Sequence, residues 1–195
     1  MRITFLKWIV FNIIVFHLLF NKMNYSMRKN GFTLIELVVT IIILGILSVI
    51  AVPRFIELQS DARISSLKGL KAEMNGAMSV LYAKSVLQGL ESKPKPAPGE
   101  DNVIIIDGED IDLVYGYPAA DAANSWSKLI MAKFEDSVFN SERPADWYFN
   151  NNPAKPFIRF MPQTKKFSGD NCYLKYTEAQ SPTTPPVFEI VDSGC

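Results

Sequence analysis

A chain of 195 residues has room for one domain of ordinary size and an appended segment, and its 20 basic and 20 acidic side chains cancel. The first 31 residues hold Arg2, Lys7, Lys22, Arg28 and Lys29 and no acid, which leaves 15 basic against 20 acidic side chains beyond them, a net of −5. A mildly acidic body gives no electrostatic footprint for nucleic acid, so no such partner is expected.

The chain opens on "MRITFLKWIVFNIIVFHLLFNKMNYS", whose apolar run Ile9–Phe20 is 12 residues long. That is short for a membrane span and close to a signal-peptide core. The expected true start is Met27 (or Met23), with residues 27–31 as the working leader and the upstream part a start-site artefact. Phe32–Val52 follows, 21 residues that are apolar or small except Thr33, Glu36, Thr40 and Ser48. As a helix it would extend about 31 Å at ~1.5 Å per residue, enough for a bilayer's hydrocarbon core. Pro53 comes next. Its missing amide donor and its clash with the preceding turn predict a kink or local melting. Glu36 is the anomaly, because an acid inside a membrane segment is costly and usually has a partner. An acid in a first helical turn also complements the macrodipole, and that simpler account stays open.

Ile64, Leu67, Leu70, Met74, Met78 and Leu81 recur at spacings of three and four, the mark of an amphipathic helix. One long, kinked helix is therefore predicted from Phe32 to about Gln88. Gly69 and Gly76 weaken it by roughly 1 kcal/mol each relative to alanine, which points to close packing there. "SKPKPAPGED" ends it. "NVIIIDGEDIDLVYGYP" reads as a hairpin around an Asp-Gly turn. Ala120–Asp136 is predicted to be a short helix with Trp126, Leu129, Ile130 and Phe134 on one side. Four strands are predicted after it: Asp146–Asn150, Pro156–Met161, Cys172–Thr177 and Val187–Val191. Turn-rich stretches separate them, which argues for an antiparallel sheet. One face of that sheet would cover the helix stripe, with Lys175 and Glu189 on the other. The fold class is α+β.

Cys172 and Cys195 are the only cysteines, and behind an export segment they read as a disulfide. Such a loop stabilises a fold by about 3 kcal/mol. The only histidine, His17, lies upstream of the body, so no imidazole base is available there and no catalytic residue, enzyme activity or cofactor is assigned. Asp107, Glu109, Asp110 and Asp112 could offer oxygen ligands to Ca²⁺, yet "DGEDID" does not fit the EF-hand loop. They read as a solvated acidic turn, and no metal is assigned. Trp126, Trp147, Tyr148 and Phe149 suit either a carbohydrate-stacking surface or the core, and aromatics at such positions are more often core.

Basic residues, then Gly31, then "FTLIEL" resemble the leader and N-terminus of type IV pilins and pseudopilins. The resemblance implies cleavage between Gly31 and Phe32 by a prepilin peptidase and N-methylation of Phe32. It implies that Glu36 neutralises the new amine of a neighbouring subunit, with Pro53 in the assembly half of the helix. Residues 32–53 would be the transmembrane and assembly half, and 54–195 the periplasmic or extracellular head. "PRFIELQSDARISSLKGLKAEMNGAMSVLYAKS", "DLVYGYPAA" and "NCYLKYTEA…SGC" are similar to mannose-sensitive haemagglutinin pilins, with Phe134–Thr164 matching in outline. The implied fold is a long kinked N-terminal helix packed on a C-terminal antiparallel sheet. The implied partners are other pilin subunits, the peptidase and the inner-membrane assembly machinery; a surface carbohydrate is the further partner that the four aromatic residues would suit if they lay on the surface. The implied location is the inner membrane, single-pass, then an extracellular adhesive pilus of a Gram-negative bacterium. A type II secretion pseudopilin and a non-assembling membrane-anchored binding module are the alternatives.

Overall fold

A computed structural model describes residues 33–96, 102–152 and 154–195. The described chain is α+β, a long helix followed by eight strands in two sheets. It divides into two compact units, one ending at Ala51 and one running from Val52 to Cys195.

Helix α1, Leu34–Leu87, is 54 residues long and continues through Pro53. The local melting expected there does not occur. Proline removes one backbone bond, whereas opening the turn would forfeit several and require a new nucleus.

In the second unit, Leu67, Leu70, Met74, Leu81 and Ser85 are buried along one stripe of α1. Leu67, Leu70 and Met74 pack with Trp126, Phe160, Leu174 and Tyr176 in the main core. Leu81 joins a smaller core with Ile104, Ile111 and Leu113. Each such side chain contributes about 1.5–3 kcal/mol on leaving water, so this stripe fixes the helix to the strands. Gly69 and Gly76 correct an expectation. Both are exposed, and a Cβ at either would meet nothing within 4 Å.

Strands β1, Val103–Ile106, and β2, Glu109–Val114, form the expected antiparallel hairpin. Its turn residues Asp107 and Gly108 have φ of 53° and 87°, as a two-residue type I′ connection requires. A second turn of this kind, at Tyr115 and Gly116, leads to β3, Tyr117–Pro118. Gly116 has no room for a side chain, since a Cβ would lie 2.6 Å from Ser85 Oγ. Ser85 Oγ donates to the Gly116 carbonyl at 3.0 Å, and Tyr82 stacks on Tyr117 with centroids 4.3 Å apart.

The larger sheet runs β4-β5-β6-β7-β8. Its members are β4 (Phe134–Asp136), β5 (Trp147–Asn151), β6 (Phe157–Pro162), β7 (Tyr173–Thr177) and β8 (Val187–Val191). The four predicted strands are present, and β5 to β8 pair antiparallel. β4 pairs parallel to β5, so the sheet is mixed. β4 also lies where helix was predicted. Only a π-helical turn, Ala122–Trp126, and the short helix α2, Ser127–Leu129, form in that stretch. Trp126 is buried edge-on against Phe160, Tyr176 and Phe188, and Phe134 meets Phe160 from a strand. Tertiary packing overrides the local helical period.

Candidate assembly site

The described part of the first unit, Thr33–Ala51, is apolar on all sides of the helix. Leu34, Ile35, Ile41, Ile46 and Val49 each expose more than half of their surface. A helix apolar all round belongs in lipid or deep inside an assembly. Among the described residues, α1 is the one helix long and apolar enough to cross a membrane.

The polar residues of this run find partners within it. Thr40 Oγ1 donates to the Leu37 carbonyl at 2.8 Å, and Ser48 Oγ to the Leu44 carbonyl at 2.7 Å. Glu36 and Thr33 form a reciprocal cap. Glu36 Oε2 accepts from the Thr33 amide at 3.0 Å and from its hydroxyl at 2.8 Å. Thr33 Oγ1 accepts in turn from the Glu36 amide at 3.4 Å. This is a capping box closing the first turn of α1, with Thr33 as N-cap and Glu36 three residues on. The spacing Thr-x-x-Glu before an apolar run carries that signal in the sequence. Gly31 and Phe32 lie outside the described residues. Pro53 sits inside α1.

In the second unit Cys172 and Cys195 are joined, with Cα atoms 4.8 Å apart at a sequence separation of 23. Cys172 is fully buried in the main core. Gly194 passes so close to the Asp170 carbonyl oxygen that a Cβ there would sit 1.8 Å from it. Arg63 of α1 donates to the main-chain oxygen of Cys195 and, at 2.8 Å, to Thr164 Oγ1. Glu178, 5% exposed, accepts from the Ala120 amide at 2.7 Å and pairs with Lys95 at 3.1 Å. Tyr176 donates to the Pro118 carbonyl at 2.6 Å. Burial, and then the Glu178 carboxylate, pushes its phenol well above the usual 10.0.

The aromatic quartet does not form one surface. Trp126 is in the core, and Tyr148 is buried with Ala145 and Met161 in a separate cluster. Trp147 and Phe149 pack on the main core, because neighbours along β5 point to opposite faces. Among the described residues no three His, Cys, Asp or Glu side chains come together as a metal-ligand set, and the 107–112 acids lie on the β1–β2 hairpin.

Residues 26–52 match the prokaryotic N-terminal methylation motif. The chain is 44% identical over 54 residues to the type IV narrow pilus major component PilA5 of Thermus thermophilus, covering 28% of this chain and 47% of that protein. It is 47% identical over 79 residues to the type IV major pilin protein PilA of Myxococcus xanthus, covering 40% of this chain and 36% of that one. The chain thus spans less than half the length of either relative. No solved structure matches it. The methylation motif and these two likenesses together support a type IV pilin family assignment.

Proposed function

We propose that the chain is a structural subunit of a type IV pilus, of the mannose-sensitive haemagglutinin type, polymerising through α1 into an adhesive surface fibre. The observation that carries this reading is the uncovered apolar helix from Leu34 to Val49 with a single carboxylate at its start. Surface of this kind is stable in lipid, and it is equally stable against copies of itself. In this scheme a prepilin peptidase cuts between Gly31 and Phe32, and Phe32 becomes the methylated N-terminus. The subunit waits single-pass in the inner membrane of a Gram-negative bacterium until the assembly machinery extracts it. Residues 32–53 form the fibre's interior and 54–195 its displayed head.

Glu36 then serves twice. Alone, it caps its own helix through Thr33; in the fibre, it neutralises the Phe32 amine of an adjacent subunit. Inside an apolar core such a pair is strong, and leaving either member alone is heavily penalised. The two roles separate by substitution. Glu36→Gln keeps an acceptor for the Thr33 amide but carries no charge, so it preserves the cap. Cells expressing Glu36→Gln should process the leader normally and yield far less sheared fibre. Wild-type fibre yield from this variant would reduce Glu36 to a helix cap. Mass spectrometry of sheared wild-type fibres should show a methylated Phe32 terminus, and Gly31→Ala should accumulate uncut chain.

A further inference from the structure

On β6 and β7 the core residues Ile158, Phe160, Leu174 and Tyr176 alternate with Phe157, Arg159, Tyr173 and Lys175, which therefore occupy the outer face. Register sets Arg159 opposite Lys175 and Lys175 opposite Glu189. Like charges directly opposite each other in a sheet repel, so the face carries unspent positive charge. The Arg159 guanidinium lies against two rings, 4.9 Å from the Phe157 centroid and 5.3 Å from that of Tyr173. The ammonium groups of Lys155 and Lys175 lie 5.6 and 5.4 Å from the Phe157 ring. Of these three cations Lys175 is ion-paired, to Glu189 at 3.1 Å, while Lys155 and Arg159 have no carboxylate partner among the described residues. The Arg159 side chain has no hydrogen-bond partner among the described residues, and its Nε is buried and unpaired. A guanidinium held by rings with its donors unused is suited to carboxylates, which it can grip through two parallel bonds.

The same chain carries the complement. Asp107, Glu109 and Asp110 are exposed around the β1–β2 turn, and none of their carboxylates has an ion-pair partner among the described residues. Lys128 nearby donates to the main-chain oxygen of Asp110 at 2.5 Å, not to a carboxylate. The type I′ turn fixes these acids on a short hairpin rather than a floppy loop.

We propose that the outer face of β6–β7, centred on Arg159, receives the acidic β1–β2 turn of a second copy of this chain. The two surfaces are different parts of one molecule, so the contact is heterologous and repeats head to tail, growing open wherever the rotation between copies does not close a ring. That is the geometry of an open filament, and for the fibre itself the inference rests on the function proposed above.

Carbodiimide treatment of fibres sheared from cells expressing the full chain tests it, because this reagent joins carboxylates to touching amines. The Lys175–Glu189 pair within one head is the internal control. A dimer-sized product should contain Lys155 or Lys175 joined to Asp107, Glu109 or Asp110. The triple variant Asp107→Asn, Glu109→Gln, Asp110→Asn keeps a residue suited to the turn at position 107; it should lose the link and lower fibre yield several-fold. Reversing both sides, with Glu109→Lys and Asp110→Lys against Arg159→Glu and Lys175→Glu, should restore yield above either half alone. Fibres that give the control link but no hairpin link overturn the contact and leave the pilin reading intact. Absence of any wild-type fibre overturns both.

Discussion

Arg63, on the helix, donates to the main-chain oxygen of Cys195, 132 residues further along the chain. The same guanidinium reaches Thr164 after β6, so one side chain anchors two strand-end segments to α1. A hydrogen bond from a charged donor contributes about 1.5–3 kcal/mol when partly buried, as the bond to Cys195 is, and less when exposed, as the one to Thr164 is. Arg63→Met retains the aliphatic stem and removes both. Thermal melting of the full chain in detergent should fall by roughly 5 °C or more. An unchanged melting temperature would show that Arg63 is incidental to the second unit.

Removing the disulfide should cost more than removing Arg63's bond to Cys195. The 23-residue separation corresponds to about 3 kcal/mol of lost constraint on the unfolded chain. Cys172→Ala with Cys195→Ala should therefore melt well below wild type. Because Cys172 is fully buried, thiol reductant should act on the native wild type slowly and on the heated protein fast. Equal rates in the two states would contradict this burial.

Gly69→Ala and Gly76→Ala should each stabilise the fold, by about 0.8–1 kcal/mol, since alanine is the better helix former and the added methyl has open space at both sites. Melting of the two single variants checks this. A loss of stability in either would mean that the exposed face of α1 is not open in the isolated chain.

Alkaline titration should report on Tyr176. Its phenol is buried and its pKa raised, so the folded state holds the proton more tightly than the unfolded one. The stability this contributes is complete below the ordinary value of 10.0 and is lost as pH rises through the folded value. Tyr176 ionisation, followed by phenolate absorbance, should coincide with loss of folded circular dichroism. Tyr176→Phe should weaken that alkaline dependence, and it should cost about 1–3 kcal/mol at neutral pH by leaving the Pro118 carbonyl without its donor. Ionisation near pH 10 with the fold intact would rule out the buried assignment.

The long helix and the last four strands were legible because their signals are local. An apolar run, then a three-and-four stripe, then short alternating runs between proline, glycine and asparagine turns leave little choice of element. Ala120–Asp136 misleads because Trp126, Leu129, Ile130 and Phe134 satisfy a helical period, while their burial comes from partners distant in sequence. The capping box was also written locally, as Thr33 and Glu36, and weighing the acid as a lone charge conceals it. The grouping of Arg159 with Phe157 and Tyr173 was not legible, for it depends on strand register. The alternation within β5 sends Trp147 and Tyr148 to opposite faces and dissolves the aromatic surface their adjacency suggests.

The larger sheet is bounded by β4 and β8, and both margins are poor templates for another backbone. β4 is three residues long. β8 is entered through Pro185 and Pro186 and carries the charge of Glu189. Prolines, brevity and charge are common means of blunting a free strand margin. In the proposed fibre, identical copies lying side by side are thereby discouraged from pairing backbone to backbone.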